Sequence, residues 1–175
     1  MKYVKVGFNE IERGLFSQFI RFQKTTKVWR KTDNTWRIID DTFVDDWDEK
    51  HYQKVIAFLK DIVIKGGVVF GAFNNGILKG FSSVEPVLFG RNNEYLSLPY
   101  IHVSEDMRKK GIGKILFQLS KDWAKEHGAK KLYIAAHPAI ESQAFYKAMG
   151  CVEALEYSLA HIEKEPLDCQ LECIL

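Results

Sequence analysis

The sequence predicts an α/β fold in which a central antiparallel meander leads into a strand–helix–strand unit, with helices flanking a mixed sheet. Three observations carry this. Two apolar runs flank Asn75-Gly76, a strong signal for a tight hairpin. An apolar strand ending Ile101-His102-Val103 runs into Arg108-Lys109-Lys110-Gly111-Ile112-Gly113-Lys114, after which Ile115, Leu116, Leu119 and Trp123 recur at helical spacing. A further apolar run over 131–136 follows that helix, as a parallel crossover requires.

The elements follow in order. Residues 2–7 read as a first strand. Ile11, Leu15, Phe16, Phe19 and Phe22 place an apolar face on a first helix, and Tyr52, Val55, Ile56, Leu59, Ile62 and Val63 on a second, which Gly66-Gly67 ends. Residues 68–73 and 77–84 are the hairpin strands. A second hairpin turns at Gly90-Arg91-Asn92-Asn93 into a strand over 94–103, where Pro99, which cannot donate to a ladder, marks a local irregularity. A helix over 112–127, a strand over 131–136, a helix over 140–149, a strand over 152–160 and a last edge strand over 170–174 complete the plan.

At 175 residues the chain is expected to form one domain, 1–175, able to bury a full core. A hydrophobic fraction of 46% with 13% aromatics excludes a disordered or fibrous class. A net charge of +2 is too balanced to argue for nucleic acid or an anionic membrane. Met1-Lys2-Tyr3-Val4-Lys5-Val6 is polar and alternating, unlike a secretory leader, and no apolar run approaches the ~20 residues of a bilayer span. Cys151, Cys169 and Cys173 are odd in number and lack a nearby His, so reduced packing thiols in a cytoplasmic protein are expected, with no metal site.

Gly111 and Gly113 fall in the first turn of their helix, where up to four backbone N–H groups have no partner inside the helix. Glycine lets a ligand approach those donors, and the positive end of the helix dipole favours an anion. With Arg108, Lys109, Lys110 and Lys114 around the same point, the arrangement suits a pyrophosphate; the plain alternative is a tight turn with a solvated basic corner. Two better-known phosphate signatures do not fit. The P-loop needs Ser or Thr after Gly-Lys, and here Ile115 follows. The dinucleotide fingerprint needs three glycines and an acidic residue ending the next strand, which here ends Ala135-Ala136-His137-Pro138.

A second block, Phe145-Tyr146 with Gly150 four residues on, follows the 131–136 strand. With both blocks in order, the chain resembles the GCN5-related N-acetyltransferase superfamily. Its phosphate loop, Arg/Gln-x-x-Gly-x-Gly/Ala, is matched by Arg108 to Gly113. The resemblance implies a mixed sheet with an antiparallel N-terminal meander, flanking helices, and a parallel pair, 94–103 and 131–136, splayed at its C-terminal ends. It implies acetyl-CoA as acetyl donor, with pantetheine in the opening against backbone groups of Ile101 and Val103. Pyrophosphate then rests on the N–H groups from Lys109 to Lys114. The cofactor-binding set on this reading is Ile101, His102, Val103, Arg108, Lys109, Lys110, Gly111, Ile112, Gly113, Lys114, Ser142 and Tyr146.

Tyr146 corresponds to the family's acid for the leaving CoA thiolate, a task that suits a phenol because it keeps its proton at neutral pH. Where the family often has Asn and Ala ahead of the aromatic pair, this chain has Ala139 and Ser142, and the Ser142 hydroxyl is a partial substitute. The strand positions that hold a base in some branches correspond to Ser97 and Pro99, so proton removal falls to a water relay toward Glu85, Glu94 or bulk; His102 reads better as a packed histidine. Trp29, Trp36, Phe43 and Trp47, among Asp40, Asp41, Asp45, Asp46, Asp48 and Glu49, suit a small cationic amine through charge and cation–π contact. Asp45 and Asp46 read alternatively as caps of the second helix. A protein or peptide amine, a non-catalytic CoA-binding sensor and a tRNA-acetylating toxin are the rival readings. The apolar residues 171–175 suggest a buried edge or a homodimer contact.

Overall fold

The computed structural model describes all 175 residues. β1 (Lys2–Lys5) is followed by two 3-10 turns, Phe8–Glu10 and Arg13–Phe16, and not by the expected first helix. The apolar residues of that segment are nonetheless buried: Ile11, Phe16 and Phe19 pack with Tyr52, Leu59 and Phe81. The chain is pulled out of helical geometry by tertiary bonds, since Ile20 N–H donates to Ser104 Oγ (3.0 Å) and Ile20 O accepts Glu105 N–H (3.0 Å).

Next comes an antiparallel ribbon, β2 (Phe22–Thr32) and β3 (Thr35–Asp46), where the sequence pattern predicts no element. Its turn residues Asp33 and Asn34 both take positive φ, the two-residue hairpin geometry. α1 (Glu49–Ile64) is capped by Asp48, whose carboxylate accepts the His51 N–H at 2.8 Å, so the cap is neither Asp45 nor Asp46. β4 (Val68–Asn74) and β5 (Ile77–Val84) form the expected hairpin through Asn75 and Gly76.

The strand expected over 94–103 is two strands in two sheets. β6 (Tyr95–Ser97) pairs in parallel with β8 (Lys131–Ala136), whereas β7 (Tyr100–Val103) pairs antiparallel with β5. Ser83 faces Tyr100, yet Glu85 N–H donates to Ser97 O, so Leu98 and Pro99 together oppose Val84. That two-against-one count is a β-bulge. Leu98 N–H still reaches Tyr133 O (2.9 Å), Pro99 has no N–H, and beyond it β7 leaves β8.

α2 (Ile112–Glu126) and α3 (Ile140–Ala148) bracket β8. β9 shrinks to Val152–Glu153, and the rest of the predicted 152–160 strand gives way to α4 (Leu159–Lys164). β10 (Cys169–Ile174) lies between β8 and β9 in the order β6-β8-β10-β9, so it is an inner strand and not the edge the sequence suggested. The other large sheet runs β1-β4-β5-β7. α2 and α3 close one face over Leu96, Leu116, Ile134 and Leu171, while α1 and the 3-10 turns close the other. No helix is long and apolar enough to cross a membrane.

A buried polar knot ties the second sheet together. Glu172, 4% exposed, accepts from Tyr95 Oη (2.5 Å), Leu155 N–H (3.0 Å) and Lys131 Nζ (3.2 Å), and Glu94 meets the same lysine at 3.3 Å. Glu172→Ala strands the buried Tyr95 hydroxyl and the Leu155 N–H and leaves Lys131 with Glu94 as its only carboxylate. Breaking a buried ion pair in this way costs about 3–5 kcal/mol. A denaturation midpoint showing less than about 1 kcal/mol would mean that water replaces the carboxylate.

Candidate active site

The bulge opens a gap between the C-terminal halves of β7 and β8. Ser104 N–H donates to Lys79 O (2.9 Å). Hydrogen bonding alternates along an antiparallel pair, so Tyr100 and His102 spend their backbone groups on β5 while Ile101 and Val103 turn theirs into the gap. The structure therefore brings Ile101 and Val103 to the gap but not His102. The His102 imidazole packs on the opposite, α1 side, 5.0 Å from Trp47, 5.5 Å from Phe81 and 5.7 Å from Tyr100. Burial, with Arg21, Arg108 and His137 nearby, drives its pKa well below the ordinary value.

At the end of β7 the chain turns through a 3-10 turn, Glu105–Met107, into the glycine loop. None of the six N–H groups from Lys109 to Lys114 donates to a protein acceptor, and Ile115 is the first to bond into the helix, to Gly111 O at 3.3 Å. Gly111 holds φ +80°. A Cβ on Gly113 would lie 3.2 Å from the Phe145 ring, so glycine there lets α3 approach the helix start. Lys109 and Lys114 are exposed cations. Arg108 is not a free cation at this corner: Nη2 donates to Phe22 O (2.6 Å) and Nε to Val103 O (3.3 Å).

Tyr146 sits on α3 with its ring against Phe117 (6.3 Å) and Phe145 (5.2 Å). Burial first, then Cys151 and Asp168, push its pKa up, so it keeps its proton across the neutral range. No protein group hydrogen-bonds its hydroxyl. Ser142, one turn earlier on the same face, also has a free hydroxyl.

Glu94 and Glu85 are not alike in placement. Glu94 is paired with Lys131 at the N-terminal end of the six-residue β8, the far end from the opened gap. Glu85 lies beside the bulge and lines a cavity of about 290 Å³ with Lys65, Ser97 and His161.

On the α1 side, the mouth of the ribbon brings together Asp45, His137, Arg21 and Trp47. Asp45 Oδ2 is 3.0 Å from His137 Nε2, whose Nδ1 accepts the Ala139 N–H at 3.2 Å. Burial pushes the His137 pKa down although Asp45 pulls the other way. Arg21, 7% exposed, lies 4.0 Å from Asp45 and over the Trp47 ring, and its Nε and Nη1 have no protein acceptor. Four other carboxylates of the acidic stretch are engaged elsewhere: Asp40 by Lys27, Asp41 by Arg30, Asp48 by its cap and Glu49 by Arg13. Trp29 and Trp36 line a separate groove of about 820 Å³ against α3, where Trp36 Nε1 donates to Glu153 at 2.9 Å. Sequence reasoning missed Arg21 and His137. The only signal for either was His137-Pro138 directly after a strand.

The model of the acetyltransferase (GNAT) family matches residues 32–151. No curated protein matches the sequence significantly. Among solved structures, a nourseothricin acetyltransferase superposes with a TM-score of 0.70 at 18% identity, covering 99% of this chain and 97% of its own. A protein described as a streptothricin acetyltransferase, from Bacillus anthracis and in complex with acetyl coenzyme A, gives 0.74 at 14% identity over 100% and 99%. An IAA acetyltransferase from Bacillus cereus gives 0.58 at 18% identity over 99% of both chains. At these identities the structures establish a shared fold, and the family match carries the assignment.

Proposed function

This chain belongs to the acetyltransferase (GNAT) family, with acetyl-CoA as acetyl donor, and from that premise we propose that it acetylates the primary amine of a small cationic acceptor. The observation that carries the donor half is the run of six unbonded amides opening α2, beside a gap onto which the backbone groups of Ile101 and the Val103 N–H open. Those N–H groups suit a pyrophosphate, with Lys109 and Lys114 as outer cations. Ser142 and Tyr146 share one face of α3, and an unbonded phenol that keeps its proton supports Tyr146 as the acid for the departing thiolate.

The acceptor half rests on the α1 side of β7. A half-buried carboxylate, Asp45, favours an ammonium through charge at the mouth of the ribbon, where the Trp47 face is already held by Arg21. The nourseothricin and streptothricin acetyltransferase neighbours accord with a small-molecule acceptor in place of a protein.

The test is CoA thiol release with paired amines. Each cationic acceptor is run beside an analogue of equal size whose second ammonium is replaced by hydroxyl. The dicationic member is expected to lead by about tenfold in kcat/KM, which is ~1.4 kcal/mol. Equal rates for the pair would remove the acidic pocket from the reading, and efficient acetylation of peptides alone would move the acceptor to protein amines.

A further inference from the structure

The amine must shed a proton, and of the two glutamates favoured by the sequence Glu94 is spent on Lys131 while Glu85 lines the cavity it shares with Lys65 and His161. The geometry of the C-terminal end of β8 points to another carboxylate. β10 runs antiparallel to β8 with Cys169 opposite Ala136, which sets Asp168 across from His137, one residue beyond the end where β7 and β8 have parted. Its backbone is anchored, with N–H donating to Glu165 O (3.1 Å) and the carbonyl accepting Gln170 Nε2 (3.3 Å). Its half-buried carboxylate has no hydrogen bond and no ion pair from the protein, unlike Asp40, Asp41, Asp45, Asp48, Glu49, Glu94, Glu153 and Glu172. It lies close enough to Tyr146 for its charge to raise the phenol's pKa.

Resting on the acetyltransferase reading above, we propose that Asp168 is the general base that takes the proton of the acceptor amine. In the balanced step the ammonium gives one proton to a carboxylate oxygen of Asp168, and the freed nitrogen lone pair forms the C–N bond to the acetyl carbon. The C–S bond breaks, and the CoA sulfur takes the Tyr146 proton. The amide nitrogen's second proton passes to the Tyr146 phenolate, directly or through water, and Asp168 releases its own to solvent.

The groups around Asp168 tune it for this task. Burial raises its pKa first, the neighbouring Glu165 raises it further, Arg30 draws it down and Asp45 pushes it up again, leaving it at about 7. Tyr146, Cys169 and His137 also face it, and the first two stay protonated there. A carboxyl that is ionised above about pH 7 is a base above that pH and not below it. Activity on an ammonium acceptor therefore climbs as pH rises through about 7.

The test uses the full chain, acetyl-CoA and two primary amines: a simple alkyl diamine and trifluoroethylamine, which is already unprotonated at neutral pH. Asp168→Asn is expected to lower kcat for the diamine by about 10²–10⁴-fold, to leave acetyl-CoA affinity and melting temperature near wild type, and to erase the acid limb near pH 7. The loss should shrink to a few-fold with trifluoroethylamine. Asp168→Glu should recover part of the rate, and added formate should partly rescue Asp168→Ala. An equal loss with both amines, or a wild-type-like kcat with the acid limb intact, overturns the role. An acid limb lost in Glu85→Gln and kept in Asp168→Asn also overturns it. A wild type that releases no thiol with any amine sinks the transferase reading and this role with it. A wild type that turns over while Asp168→Asn is unchanged sinks this role alone.

Discussion

Gly113→Glu is expected to weaken acetyl-CoA binding at least 100-fold while leaving a folded protein. The new side chain starts 3.2 Å from the Phe145 ring and carries a carboxylate into the start of α2, where the amides from Lys109 to Lys114 have no acceptor of their own. A hydrogen bond to a charged group is worth about 1.5–3 kcal/mol, so losing two costs about 3–6 kcal/mol, or 100-fold and more. Isothermal titration with acetyl-CoA reads the effect. Gly111→Ala and Gly128→Ala make the comparison specific. Both glycines sit at positive φ (+80° and +86°) with open space around a new Cβ, so each should cost about 1–2 kcal/mol of folding stability. Only Gly111→Ala should also weaken acetyl-CoA. Equal affinity for the two variants would mean that the glycine loop is a turn and nothing more.

Tyr146→Phe is expected to cut kcat by about 10²–10⁴-fold with acetyl-CoA affinity unchanged. The substitution removes one hydroxyl that no protein group bonds and leaves the ring against Phe117 and Phe145. No buried partner is orphaned, so the melting temperature should stay put and the loss can be assigned to chemistry. The leaving thiolate needs a proton from a group that has kept one, and burial keeps the phenol protonated well above neutral pH. A rate within threefold of wild type would transfer that task to solvent.

What was legible in the sequence was the part encoded locally. The glycine loop, α2, β8 and α3 follow from spacing within a few residues, and the β4–β5 hairpin from its turn residues. Pro99 flagged the bulge, though not that the chain changes sheets there. The β2–β3 ribbon escaped because much of it is solvated on both faces. Lys27 opposite Asp40 and Arg30 beside Asp41 blur the apolar–polar alternation that marks a half-buried strand. The first helix was over-read because Ile11, Phe16 and Phe19 are buried at nearly helical spacing, while long-range bonds to Ser104 and Glu105 decided the backbone. Arg21, His137, Asp45 and Asp168 come from four separate stretches. Only the register of β10 on β8 and the docking of the ribbon at Ala139 gather them, and no local spacing announces that.

The bulge at Leu98–Pro99 divides the protein's vulnerability to mutation into two regimes. On one side of the opened seam the groups proposed to hold the donor's pyrophosphate and pantetheine are main-chain atoms, which almost any side chain can supply provided the glycines and the bulge persist. On the other side the acceptor groups are individual side chains, each erasable by one codon. Such a scaffold can change what it acetylates by drift in the ribbon while its grip on the donor and its base at Asp168 stay fixed. Selection for a new acceptor should therefore leave the 109–114 loop and Asp168 untouched and accumulate its changes around residues 21 and 45.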